Sequence, residues 1–157
     1  MKFTVVPIES EECFLAATLA TAMMMEEGWP VSENTTSLLE AEMSADIAEN
    51  RAVVLLAASE SGIAGMVELK LTVDPIGGSC YEVLRLFVLP EYRNKGVARL
   101  LLAEAAAGIM DEDAVLIINT RGELPKSYQR LGFRPLITTH TASLKDARRA
   151  LNRRRGI

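Results

Sequence analysis

A mixed α/β domain is the fold class this sequence predicts. Three observations lead to it. Two segments near the N-terminus repeat apolar residues at helical spacing. Three later runs read as strands joined by short turns, an antiparallel meander. Further on, one helical segment lies between two strand-like runs, which implies a right-handed crossover and a parallel pair. The 157 residues suit one domain spanning 1–157, long enough to bury a core.

The elements follow in order. Lys2 to Ile8 reads as a short edge strand, because Glu9, Glu11 and Glu12 follow it and a secretory leader would not be so interrupted. Without a leader, cytoplasm is the expected compartment. Ser10 is placed to cap a first helix with Glu11 and Glu12 in its first turn, where carboxylates suit the helix dipole. Leu15, Leu19, Ala22 and Met23 form its apolar stripe, and Gly28-Trp29-Pro30 ends it. A second helix is expected from Thr35 to Glu49, with Leu39, Met43 and Ile47 on one face. Ala52 to Ser59 is a continuous apolar run, the mark of a strand buried on both faces. Glu60-Ser61-Gly62 turns into Ile63 to Val73, where Val67, Leu69, Leu71 and Val73 face one way and Met66, Glu68, Lys70 and Thr72 the other. Residues 74–78 turn again, into a strand from Tyr81 to Leu89. A loop from Pro90 to Lys95 opens a helix from Gly96 to Met110, with Val97, Leu100, Leu101 and Ala105 inward. Ala114 to Asn119 is a strand and Lys126 to Leu131 a short helix. Phe133 resumes extended chain, and Ser143 caps a basic C-terminal helix or tail over 145–157.

Composition excludes other classes. Half the residues are hydrophobic (49%), too many for a disordered chain, and no apolar stretch nears the roughly 20 residues of a membrane span. The net charge of −4 argues against nucleic acid as the main partner. That charge is uneven. Residues 145–157 carry six basic and one acidic residue, a net of +5, which leaves −9 on the first 144. Cys13 and Cys80 have no ligand spacing and sit among apolar residues, so they read as buried thiols. The single histidine, His140, stands apart from any Ser, Cys or Asp pattern, which argues against a triad hydrolase or a metal site.

The chemistry concentrates in Leu86-Phe87-Val88-Leu89-Pro90-Glu91-Tyr92-Arg93-Asn94-Lys95-Gly96-Val97-Ala98-Arg99. A strand runs into a turn that opens a helix, and the first amides of a helix have no partner within it. With the helix dipole they form an anion site. Gly96 lets backbone approach a ligand, small Ala98 leaves room, and Arg93 and Lys95 add positive charge. The expected ligand is a phosphate or pyrophosphate. Pro90 cannot join a ladder and marks where the strand leaves its neighbour.

Arg93-Asn94-Lys95-Gly96-Val97-Ala98 resembles the pyrophosphate loop of the GNAT family of acyl-CoA-dependent N-acyltransferases, Arg/Gln-x-x-Gly-x-Gly/Ala. Tyr128-Gln129-Arg130-Leu131-Gly132-Phe133 resembles that family's second signature, aromatic-x-x-x-Gly-Phe. The likeness is close from Tyr81 to Arg134 and covers only the order of elements before that. It implies a mostly antiparallel mixed sheet whose central parallel pair splays around acyl-CoA. It further implies acetyl-CoA as co-substrate, an amine acceptor that attacks the thioester directly, and no metal. The amides of Arg93, Asn94, Lys95, Gly96, Val97 and Ala98 would hold the pyrophosphate, and the backbone of Leu86, Phe87 and Val88 would pair with pantetheine. Tyr128 would protonate the leaving thiolate. Glu82, 11 residues before Arg93, matches a general base found in several members. Its competing reading is an ion pair with Arg85 or Lys70, since a charge within a central strand needs a task or a partner. Glu68 is a weaker candidate for base or amine binding. Asn119 matches an asparagine that contacts pantetheine, although its nine-residue separation from Tyr128 is longer than usual.

Two further readings concern the acceptor. The first 50 residues hold ten acidic side chains and one basic one, so an acidic rim for a cationic amine competes with plainly solvated helix faces. Trp29 and Met23-Met24-Met25 could wall an apolar acceptor site or pack in the core. After Phe133 the chain is short for a final hairpin. Either that strand pair is short or a strand comes from elsewhere, a homodimer partner being one source. The alternative function is a CoA-binding or protein-interaction module that keeps the fold with little catalysis.

Overall fold

The computed structural model describes residues 1–73, 79–111, 114–119, 125–130 and 133. The chain divides into two compact units, Met1–Thr120 and Arg121–Ile157. The first holds strand β1 (Thr4–Pro7), helices α1 (Phe14–Glu26) and α2 (Thr35–Ala48), and strands β2 (Ala52–Ser59), β3 (Gly62–Val73) and β4 (Ser79–Val88). Helix α3 (Val97–Ala107) and strand β5 (Val115–Ile117) complete it, and the second unit contains helix α4 (Lys126–Arg130). The expected turn at 74–78, the strand after Phe133, His140, Ser143 and the basic tail at 145–157 lie outside the described residues.

The five strands form one mixed sheet in the order β1-β2-β3-β4-β5. The first three pairings are antiparallel and β4–β5 is parallel, with α3 as the crossover. Helices α1 and α2 cover one face. There Ala16, Ala17, Leu19, Ala20, Leu39 and Met43 pack with Val54, Leu56, Met66 and Phe87. Helix α3 covers the other face with buried Val97, Leu101, Leu102 and Ala105. Met66, Val67, Glu68 and Leu69 are consequently all buried, so the middle of β3 is covered on both sides.

Three local expectations change. Ser10 does not cap α1. Residues Ser10–Glu12 form a 3-10 turn, in which the Glu12 carboxylate accepts the Glu9 N–H at 3.1 Å, and α1 starts at Phe14. Leu15 is exposed, because the helix turns its alanines to the sheet, where small side chains allow close approach. On α3, Leu102 rather than Leu100 is buried.

The cysteine reading agrees with the structure: both thiols are buried and neither forms a disulfide. Burial, with Glu40 and Glu68 nearby, pushes the Cys13 thiol up, opposite to what a nucleophile needs.

Asp46 on α2 is buried and takes two cations from outside the core. Lys70 Nζ donates to its Oδ2 at 2.6 Å and Arg51 Nε to its Oδ1 at 3.0 Å. The Lys70 hydrogen bond, ahead of that from Arg51, holds its carboxyl below the ordinary 3.8. Asp46→Asn is expected to lower stability at pH 7 by about 1–3 kcal/mol, less than a fully buried pair because both cations reach solvent. The depressed folded-state value sets the sign. The contribution is present above the unfolded-state value and vanishes as pH falls through the folded-state value. Urea midpoints of the two proteins should therefore differ at neutral pH and converge in acid.

Candidate functional site

The site is built where β4 parts from β5. The parallel pairing covers only Cys80↔Val115, Tyr81↔Leu116 and Glu82↔Ile117. From Val83 to Val88, that edge of β4 has no strand partner among the described residues. The backbone groups of Leu86, Phe87 and Val88 thus lie on an open edge, able to pair with an extended ligand.

Glu82 is the last paired residue before the split. Its Oε1 accepts the Asn119 Nδ2 hydrogen at 2.6 Å, and Asn119 follows the end of β5 by two residues. The structure thus brings these two side chains together at the mouth of the split. Neither ion pair considered for Glu82 forms: Arg85 pairs with Glu68 and Glu42, and Lys70 pairs with Asp46. Its carboxylate keeps an accessible position.

A bulge in β4 explains why Glu82 faces as it does. Glu68 opposes Arg85, but Leu69 opposes Val83, so Leu84 is the extra residue. Met66, Glu68 and Lys70 alternate along one face of β3, and their partners are Phe87, Arg85 and Glu82. Glu82 therefore shares the face of α1 and α2 with Phe87. In a regular strand, residues five apart point to opposite faces.

The loop after β4 begins with a 3-10 turn at Pro90–Tyr92, and the Leu89 N–H still bonds to Ala64 O at 2.9 Å. Asn94 (φ 60°) and Gly96 (φ 83°) are both left-handed. The first backbone bond into α3 is Leu100 N–H to Gly96 O at 3.0 Å. The amides from Asn94 to Arg99 find no acceptor among the described residues, the pattern an anion cradle requires. A Cβ built on Gly96 would meet nothing within 4 Å, so the cradle opens outward. These residues fit a bound pyrophosphate.

The basic side chains of the loop act differently from the expectation. Arg93 does not reach out as a free charge. Its Nε donates to Val88 O at 2.9 Å, its Nη2 to Glu26 Oε2 at 2.6 Å, and its guanidinium lies 5.6 Å from the Phe87 ring centroid. That pairing holds the Glu26 carboxyl below the usual range. Lys95 Nζ turns back to Glu91 O at 2.8 Å. The open edge of the loop is therefore backbone, and Arg93 ties it to the end of α1.

Sequence reasoning passed over Gly65. A Cβ there would lie 2.5 Å from Phe87 O, so glycine is what lets β3 approach the free end of β4. A lone glycine inside a strand pattern was the available signal.

In the second unit, Tyr128 is half-buried on α4. Its N–H bonds to Pro125 O at 3.0 Å and its ring meets Phe133 edge-on, centroids 6.0 Å apart. Among the described residues no group of His, Cys, Asp or Glu could hold a metal, and no helix is long and apolar enough to cross a membrane.

Comparison with known proteins agrees with this architecture. Residues 20–142 match the family profile described as Acetyltransferase (GNAT) domain. No curated protein matches in sequence. Among solved structures, a predicted acetyltransferase from Clostridium acetobutylicum, determined with acetyl-CoA, superposes with TM-score 0.76 at 13% identity, over 92% of this chain and 98% of that one. A GCN5-related N-acetyltransferase from Ralstonia eutropha JMP134 gives 0.70 at 16% identity, over 90% and 98%. A ribosomal-protein-alanine N-acetyltransferase from Brucella melitensis gives 0.64 at 15%, over 91% and 98%.

Proposed function

The chain belongs to the GNAT acetyltransferase family, and from that premise we propose that it transfers an acetyl group from acetyl-CoA to the nitrogen of a primary amine. The observation that carries the reading is the open β4 edge running straight into a cradle of unpaired amides at Asn94 to Arg99. Such an edge suits the pantetheine amides, and such a cradle suits the pyrophosphate. The family profile runs across the boundary between the two units, which supports reading 1–157 as one acyltransferase domain.

In this reading Glu82 takes a proton from the acceptor amine, directly or through water, and Asn119 holds its carboxylate at the split. The amine nitrogen forms a bond to the thioester carbon and the carbon–sulfur bond breaks. The Tyr128 hydroxyl gives the thiolate a proton, a role that rests on its match to the second signature. The ten acidic side chains of the first 50 residues, against one basic, favour a cationic acceptor.

The direct test is binding. At 100 times Kd, acetyl-CoA should stabilise the protein by about 2.7 kcal/mol. For a chain of this size that raises Tm by roughly 5–10 °C. No shift at saturating acetyl-CoA overturns the reading.

A further inference from the structure

The buried contact between Glu68 and Arg85 is not used by the chemistry above, yet Arg85 adjoins the bulge at Leu84, beyond which the open edge of β4 runs. Glu68 is fully buried, and its Oε2 accepts a hydrogen from Arg85 Nη1. Arg85, with a side chain only 13% exposed, also reaches Glu42 Oε2 on α2 at 3.8 Å. Glu68 Oε1 has no hydrogen-bond partner among the described residues. Burial raises the Glu68 carboxyl against the pull of Arg85. A carboxylate held at such cost for stability alone would be poorly explained, since apolar residues of similar volume commonly replace buried ion pairs without loss.

The register supplies another role. Around the pair, β3 reads Met66-Val67-Glu68-Leu69 and β4 reads Val83-Leu84-Arg85-Leu86-Phe87-Val88. All the other residues are apolar and would accept either face. If the end of β4 slipped by one residue and lost its bulge, Arg85 would oppose Val67 on the face of α3, and Glu68 would oppose Leu84 without a partner. Two buried charges would then be unpaired, the costliest outcome available. Slippage would also turn the backbone of Leu86 to Val88 by half a pleat and change which of their groups meet the open edge.

We propose that Glu68 and Arg85 are positioning residues whose ion pair selects the bulged register of β4, and so sets which backbone groups of Leu86–Val88 meet the open edge. The inference rests on the acetyl-CoA reading for its catalytic consequence only. The register itself is a property of the free protein.

The test replaces both residues by leucine, which makes the two runs uninterruptedly apolar. Glu68→Leu/Arg85→Leu is expected to fold with a thermal midpoint at or above that of the wild type. Its ligand-free amide spectrum should show doubled or broadened signals for residues 84–88. Its KM for acetyl-CoA should rise at least about tenfold as the open edge of Leu86–Val88 loses its register. Arg85→Lys, which keeps the charge, should retain a single set of signals and most of the activity. One sharp set of amide signals in the double-leucine protein, with wild-type contacts between residues 66 and 87, overturns the proposal. Should the double variant not fold, Glu68→Gln is read the same way, with a smaller expected change. If the wild type itself does not bind acetyl-CoA, the functional reading fails while the amide signals still decide the register.

Discussion

Tyr128→Phe is expected to turn over the amine about 100-fold more slowly than the wild type, the lower end of what a positioned proton donor contributes, while acetyl-CoA affinity stays within about threefold. The substitution removes one oxygen. The ring remains, so the edge-on contact with Phe133 at an interplanar angle of 89° is kept, and the loss reports the hydroxyl rather than the packing. Glu82→Gln should produce a comparable fall. Glutamine still offers Oε1 to the Asn119 amide, so the split stays framed. It cannot take a proton, so kcat should fall while acetyl-CoA affinity stays near that of the wild type. Steady-state rates and acetyl-CoA titrations on both variants decide the assignment. An unchanged kcat in Tyr128→Phe removes Tyr128 from the proton path, and an unchanged kcat in Glu82→Gln removes Glu82.

The second large effect concerns binding. Gly96→Val should weaken acetyl-CoA affinity by about 10- to 100-fold. Holding a β-branched residue in the left-handed region costs about 1–3 kcal/mol, and 1.4 kcal/mol is a factor of ten. At φ 83° the cost falls on the loop conformation that keeps the amides convergent. A Cβ at this position meets nothing within 4 Å, so the side chain starts into open space and not into the core. Gly96→Ala should lie between. Calorimetric titration with acetyl-CoA measures both, and a valine variant that binds like the wild type means the cradle is not the pyrophosphate site.

Much of the fold was legible because it depends on short-range period. Apolar residues at helical spacing located α1 and α2, continuous and alternating runs located β2 to β4, and the strand–helix–strand order foretold the parallel β4–β5 pair. Two details of facing were misjudged. Leu15 is larger than Ala16 and Ala17, but the sheet accepts the alanines, since fit and not hydrophobicity alone selects the inner face. Leu100 and Leu102 are equally apolar, so only the packing of α3 chose between them. The turn that opens α3 was legible as backbone geometry, because a glycine at a strand–helix junction needs no distant partner to be read.

The sequence by itself determined the order of elements, the mixed sheet and the loop whose amides open the third helix. Only the tertiary structure decided which charges meet. Arg93 joins Glu26 across 67 residues, Arg85 joins Glu68 rather than Glu82, and Glu82 is left to Asn119. The physical reason lies at Leu84. A single extra residue in one strand shifts every later side chain by one face, and periodicity, which sees spacing along one segment, carries no record of what stands opposite it.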